Sequence, residues 1–165
     1  MAQNGIFTSS LQSKARRLLE ACRKKEIMLA TAESCTGGLV AALLTEIPGS
    51  SDVFDRAFIT YSNEAKTEML GVSVALIKRH GAVSEEVVQA MAAGALKHSR
   101  AQLALAITGI AGPGGGSTTK PVGLVYIAVA ESKGKVQVKQ FHLKGGRDAV
   151  RMSAVKEALN CFKEY

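Results

Sequence analysis

Apolar residues follow two kinds of spacing along this chain, and the spacing predicts where helices and strands lie. Between residues 11 and 22, leucine, alanine and cysteine recur three or four positions apart, which predicts an amphipathic helix over about 9–25. Capping serines and terminating glycines or prolines mark further helices. These are predicted at about 39–47, 63–70, a short segment after Ser73, 84–99 and 147–162.

Short, nearly continuous apolar runs separate these helices and are typical of strands buried on both faces of a sheet. Three such strands are predicted, at about 27–32, 57–61 and 103–108. Two later runs, 122–130 and 136–143, are rich in β-branched and aromatic residues and flank a turn at 132–134, which predicts a hairpin. This order predicts a mixed sheet covered by helices, an α/β sandwich. Without a repeat or linker, residues 1–165 are expected to form one domain.

Composition narrows the class of protein. Of the 165 residues, 47% are hydrophobic, which is enough for a substantial core. No apolar stretch approaches the roughly 20 residues that cross a bilayer, and Met1–Leu11 lacks the features of a signal peptide. We therefore expect a cytoplasmic protein with no membrane contact. The three cysteines form no CxxC pair and the three histidines stand alone, so the sequence gives no sign of a disulfide framework or a metal site.

The net charge of +7 favours anionic partners, either nucleic acid or phosphorylated small molecules. Basic residues are dispersed except in the first predicted helix, where Arg16-Arg17 and Arg23-Lys24-Lys25 are interpreted as a solvated face. The chain has no Trp and only 5% aromatic residues, so it lacks a stacking surface for single strands. Nucleic acid is therefore not the expected partner, although a nucleic-acid-binding function stays open as an alternative.

Two glycine-rich turns follow buried strands and could bind anions. In 32–38 a strand leads through Ser34 and Thr36 into Gly37-Gly38 and a helix, whose free N–H groups favour an anion. The alternative is that Ser34 or Thr36 only caps the helix. In 108–116 a dense run of glycines could present N–H donors to a phosphate or an oxyanion, or could be a flexible connection to the hairpin.

Hydroxyl and amine groups also recur in a pattern that could support nucleophilic catalysis. Ser50 and Ser51 follow a tight turn, Tyr61 lies at the end of a predicted strand, and Lys66 lies one turn into the helix that follows it. A serine without a nearby histidine could use a desolvated lysine as its base. Taken alone, a solvated Lys66 and capping serines are the more common arrangement. Arg147, beside two glycines at a helix start, could bind phosphate or could simply be solvated.

Four segments together resemble one family: TAESCTGG at 31–38, TYSNEAK at 60–66, GAVSEEV at 81–87 and TGIAGPGGG at 108–116. They are similar to the CinA C-terminal domain family, competence/damage-inducible protein A, in the same order over about residues 11–162. The resemblance implies a three-layer α/β/α fold, a homodimer and no metal or cofactor. It also implies nicotinamide-nucleotide amidase activity, which converts nicotinamide mononucleotide and water to nicotinate mononucleotide and ammonia.

The resemblance also implies roles for particular residues. It places the nucleophile at Ser51, its base relay at Lys66 and Tyr61, and a further catalytic serine at Ser34. The nucleotide phosphate is expected at the helix start with help from Arg147, and backbone N–H groups of the glycine-rich turns are expected to hold the oxyanion. The substrate-binding residues expected on this basis are Thr36, Gly37, Gly38, Gly109, Gly112 and Arg147. Two alternatives are a non-catalytic nucleotide-binding or competence-related module, and an amidase for another phosphorylated amide.

Overall fold

The computed structural model describes residues 5–162, which form helices and strands in alternation. The helices are α1 Ser9–Lys24, α2 Leu39–Thr45, α3 Asn63–Leu70, α4 Val74–His80, α5 Glu85–Lys97 and α6 Arg147–Asn160. The strands are β1 Leu29–Glu33, β2 Phe54–Ile59, β3 Leu103–Gly109, β4 Leu124–Glu131 and β5 Val136–His142, and a short 3₁₀ turn covers Ser50–Asp52. Every helix and strand predicted from the sequence is confirmed, with shifts only at their ends.

Local capping explains where the helices begin and end. The hydroxyls of Ser62, Ser73 and Ser84 accept hydrogen bonds from N–H groups in the first turns of α3, α4 and α5. Gly71 ends α3 in the left-handed region, with φ +70°. The strand β2 begins earlier than its apolar run predicted, because Phe54 and Arg56 pair with β1, with a shift of register between them, although Phe54 is only partly buried and Arg56 is exposed.

The five strands form one mixed sheet in the order β2-β1-β3-β4-β5. β1 runs parallel to both β2 and β3, whereas β3, β4 and β5 are successively antiparallel. In the register of the parallel part, Glu33 at the end of β1 lies between Ile59 and Ile107. The carboxyl ends of β1, β2 and β3 therefore meet at one edge of the sheet.

Alternating side chains of the central strands build two separate cores. On one face, large residues such as Leu105 and Ile107 pack against α1, α2 and α6. On the other face, Ala104 and Ala106 pack against α5, with α3 and α4 outside it. Small residues on this second face let α5 approach the sheet closely. The result is the predicted α/β/α sandwich.

No helix among the described residues is both long enough and apolar enough to cross a membrane.

Candidate active site

Three loops converge at the carboxyl edge of β1, β2 and β3 and enclose a small cleft of about 170 Å³. The cleft combines hydroxyl, amine, guanidinium and thiol groups with backbone from the glycine-rich turns. Its lining residues are Ser34, Cys35, Tyr61, Asn63, Lys66, Ala82, Val83, Thr108, Gly109, Ala111 and Arg147. This edge is where open α/β sheets usually bind ligands.

Lys66 and Ser34 form the chemical centre of this cleft. Lys66 lies in α3, yet only 1% of its surface is exposed. Its Nζ lies 3.2 Å from Ser34 Oγ, and its other contacts are the backbone carbonyls of Thr60 at 2.8 Å, Ser62 at 3.4 Å and Tyr61 at 3.5 Å. No described carboxylate forms an ion pair with this amine.

Burial increases the fraction of Lys66 that is neutral and can accept a proton. Desolvation lowers its pKa below the ordinary 10.5, and the neighbouring Cys35 opposes this shift. Burial in turn raises the pKa of the Cys35 thiol to about 11, so that thiol carries little negative charge at neutral pH. The amine is therefore the basic group in this cleft, and the thiol beside it is largely protonated.

The carbonyls around Lys66 suit an amine that exchanges a proton with Ser34. A neutral amine can donate its two N–H bonds to Thr60 and Ser62 and keep its lone pair for the Ser34 hydroxyl. After proton transfer, the third N–H would point back to the Ser34 oxygen. The geometry thus supports both protonation states that a general base must adopt.

Glu33 fills the start of α2, the place where the sequence predicts a phosphate. Its carboxylate is completely buried and accepts hydrogen bonds from the N–H groups of Gly38, Val40 and Ala41 at 2.9–3.1 Å. The Thr36 hydroxyl donates to the same carboxylate at 2.7 Å. The expectation that Thr36, Gly37 and Gly38 bind the phosphate here is therefore wrong in its premise, because an internal anion already occupies the helix start.

The turn after Ser34 nevertheless keeps two N–H groups available. Within residues 5–162, the N–H groups of Cys35 and Thr36 donate to no oxygen atom. The Arg151 guanidinium donates to the carbonyls of the same two residues, at 3.0 and 3.3 Å. These N–H groups immediately follow the Ser34 hydroxyl in the chain, which is the usual place for donors that stabilise an oxyanion.

Tyr61 and Arg147 form the exposed rim of the cleft. Arg147 donates one hydrogen bond to the Tyr61 hydroxyl at 3.0 Å and another to the Gly112 carbonyl at 2.8 Å. Tyr61 is 62% exposed, and only its backbone carbonyl faces Lys66 Nζ. Gly109 also lines the cleft, and it leaves no room for a larger side chain, since a Cβ there would lie 2.7 Å from Val125 Cγ2.

Ser51 lies at the opposite edge of the sheet. Its 3₁₀ turn precedes β2, whereas Lys66 contacts the segment that follows β2. At about 3.3 Å per residue, roughly 20 Å of strand separates these two places. Within one chain, the expected hydrogen-bond reach between Ser51 and Lys66 is therefore wrong, and the serine that meets the lysine is Ser34.

The sequence reasoning overlooked two residues of the site. Glu33 is the one charged residue of a short strand, Leu29–Glu33, so a charge there was itself a signal of a buried hydrogen-bond network. Arg151 lies one helical turn after Arg147, so both reach the cleft region from the same helix. No group of three or more His, Cys, Asp or Glu side chains in the described part of the chain could hold a metal ion.

Comparison with known proteins identifies the family. The profile described as "CinA C-terminal domain" matches residues 11–165. The chain belongs to this family. A curated relative of similar length is the Escherichia coli K12 protein named "Nicotinamide-nucleotide amidohydrolase PncC", which is 49% identical over 151 residues, 92% of each chain.

Other relatives are longer or have solved structures. The "Putative competence-damage inducible protein" of Caldicellulosiruptor bescii is 51% identical over 141 residues, 86% of this chain. This chain spans about a third of that relative and of several others, 34% in this case. The crystal structure of "competence/damage inducible protein CihA" from Agrobacterium tumefaciens is 47% identical, covers 95% of this chain and 96% of that one, and has a TM-score of 0.92. This likeness confirms the α/β/α fold of the CinA C-terminal domain.

Proposed function

We propose that this CinA C-terminal domain is an amidohydrolase that converts nicotinamide mononucleotide to nicotinate mononucleotide, with Ser34 as nucleophile and Lys66 as base. The observation that carries the proposal is the buried contact of 3.2 Å between Lys66 Nζ and Ser34 Oγ, in an amine whose pKa is lowered by burial. The substrate is proposed from the relative of similar length, which is named for this activity.

The first half of the reaction acylates Ser34. The hydroxyl oxygen attacks the carboxamide carbon while its proton passes to neutral Lys66. The N–H groups of Cys35 and Thr36 are proposed to stabilise the oxyanion, a contribution of about 3–4 kcal/mol for a typical donor. The C–N bond then breaks, and the ammonium of Lys66 returns its proton to the leaving nitrogen, which departs as ammonia.

The second half releases the acid. Water attacks the acyl carbon and gives a proton to Lys66, and the second tetrahedral intermediate collapses with cleavage of the bond to Ser34 Oγ. Lys66 returns the proton to that oxygen, so serine and neutral amine are regenerated. The net change consumes one water and yields one carboxylic acid and one ammonia. No redox partner or metal takes part in these steps.

The cleft rim is proposed to recognise the nucleotide. Arg147 is the cation nearest to the mouth of the cleft among its lining residues, apart from buried Lys66, and its planar fork suits a phosphate. Tyr61 presents an exposed aromatic ring next to it. Free nicotinamide lacks the phosphate, so we expect it to be a poor substrate. Gly109 and Gly112 are proposed to shape the wall of the cleft.

Ammonia release from nicotinamide mononucleotide tests the proposal. We expect Ser34→Ala to lose at least about 10³-fold in kcat and Lys66→Met about 10²–10⁴-fold. Ser51→Ala is a matched control, because it makes the same change in an exposed serine at the far edge of the sheet, and it should keep full activity. Full activity of Ser34→Ala, or loss of activity in Ser51→Ala, would contradict the assignment of the nucleophile.

A non-catalytic, nucleotide-binding role is the second candidate, since several relatives are named only as competence-damage inducible or CinA-like proteins. Such a protein would bind the mononucleotide equally well with Ser34 or Ala at position 34 and would release no ammonia. A cytoplasmic location and a homodimer also remain proposals, and light scattering of the purified chain tests the latter.

A further inference from the structure

Glu33 is a buried acid next to the proposed nucleophile, and the reaction steps given above do not use it. None of its surface is exposed, although a carboxylate in that position is normally costly to bury. Five donors compensate for this burial. They are the N–H groups of Gly38, Val40 and Ala41 at the start of α2, the Thr36 hydroxyl, and the Thr31 hydroxyl at 3.4 Å. Such a complete set of donors shows that the carboxylate is part of the local architecture.

The hydrogen bonds of Glu33 close a loop around Ser34. The carboxylate belongs to the last residue of β1, and its main partners belong to the first turn of α2, so the turn between them is fixed at both ends. The N-cap of α2, Gly38, has no side chain that could cap the helix, and Glu33 takes over this role from upstream.

Ser34 is held by backbone bonds from two further directions. Its N–H donates to the Ile107 carbonyl at 3.1 Å, and its carbonyl accepts from the Gly37 N–H at 3.0 Å. The outgoing part of the turn is held from two sides: Arg151 donates to the carbonyls of Cys35 and Thr36, and the Glu33 carboxylate ties the turn to the N–H groups at the start of α2. Because attack on a carbonyl requires reacting atoms at about 3–3.5 Å, a shift of about 1 Å can cost about 10²-fold in rate.

We propose that Glu33 is a positioning residue that holds the Ser34 turn against α2 and so keeps the hydroxyl facing Lys66. This inference rests on the proposed amidase function. On this proposal, the N–H groups at the start of α2 bind Glu33 and thereby position the nucleophile. Other residues of the cleft then recognise the phosphate.

The test compares the same substitution at the two ends of α2. Glu33→Gln keeps the shape of the side chain but leaves the N–H of Ala41 facing an amide group, which cannot accept it while its oxygen faces Gly38 and Val40. Glu46→Gln makes an identical change at the exposed C-cap of α2. Ammonia release from nicotinamide mononucleotide and amide hydrogen exchange of the segment 34–41 are measured for both variants, well below their unfolding temperatures.

We expect Glu33→Gln to lower kcat about 10- to 100-fold, to change KM less than about threefold and to speed exchange in 34–41. Glu46→Gln should match the wild type in all three. A role in overall stability alone would instead leave kcat per folded molecule unchanged.

The proposal is overturned if Glu33→Gln retains wild-type kcat, or if its kcat loss merely follows its unfolded fraction. The proposed function fails separately, if the wild-type protein releases no ammonia. In that case amide hydrogen exchange tests the role of Glu33 without the activity assay. Faster exchange of 34–41 in Glu33→Gln supports that role, and exchange equal to that of the wild type overturns it.

Discussion

The burial of Lys66 predicts an unusual dependence of stability on pH. A group whose pKa is lower in the folded than in the unfolded chain binds more protons when unfolded, so stability rises with pH across the interval between the two pKa values. For Lys66 the upper end of this interval is the ordinary value of 10.5, and desolvation sets the lower end below it. Replacing Lys66 with Met removes this contribution and keeps a side chain of similar length.

The size of the effect follows from the proton balance. One proton contributes at most about 1.4 kcal/mol per pH unit, so between pH 8 and pH 10 the wild type should gain up to about 2.7 kcal/mol relative to Lys66→Met. All other titrating groups are shared by the two proteins and largely cancel in the difference. Against this, the variant loses the hydrogen bond to the Thr60 carbonyl, a constant cost of about 1 kcal/mol.

Urea unfolding of both proteins at pH 7, 8, 9 and 10 measures this difference. We expect the unfolding free energy of Lys66→Met, relative to that of the wild type, to be highest at the lowest pH, because folding of the wild type there must bury an amine that is protonated in the unfolded chain. This relative value should fall as the pH rises. A difference in unfolding free energy that is constant from pH 7 to pH 10 would refute the claim that burial lowers the pKa of Lys66.

Three further predictions concern the reaction and the walls of the cleft. The rate kcat/KM should increase with pH up to the folded pKa of Lys66, because only the neutral amine accepts a proton, and a pH–rate profile of ammonia release checks this. Gly109→Ala should destabilise the fold by about 1–3 kcal/mol through its clash with Val125, whereas Gly114→Ala, which has no neighbour within 4 Å, should leave thermal unfolding unchanged. Arg147→Met should raise KM for the mononucleotide about 10- to 100-fold with a smaller change in kcat, as steady-state kinetics will show.

The position of Ser51 could have been deduced from the sequence alone. A helix predicted at 39–47 connects two strands of the predicted mixed sheet, and a helical crossover of this kind joins parallel strands by returning the chain to the edge where they start. A residue between that helix and the next strand must therefore lie opposite the carboxyl edge. Ser34 follows the first predicted strand and Tyr61 ends the second, so topology already favoured Ser34 as the partner of Lys66.

Other features of the site could not be obtained from any local pattern. The N–H groups of Thr36, Gly37 and Gly38 suggested an anion site, but whether an external phosphate or an internal carboxylate fills a helix start depends on side-chain direction. In this structure the internal carboxylate fills it, because Glu33 accepts hydrogen bonds from the N–H groups of Val40 and Ala41 in α2. Similarly, Arg151 reaches the Ser34 turn only because α6 packs beside α2 in the same layer.

The sequence by itself determined the helices, the strands, the α/β class and the segments that line the cleft, because spacing, caps and glycine turns are local properties of the chain. The tertiary structure decided which hydroxyl meets the lysine and which anion meets the helix. Both outcomes depend on contacts between segments far apart in sequence, such as Ser34 with Lys66, and local spacing carries no information about them.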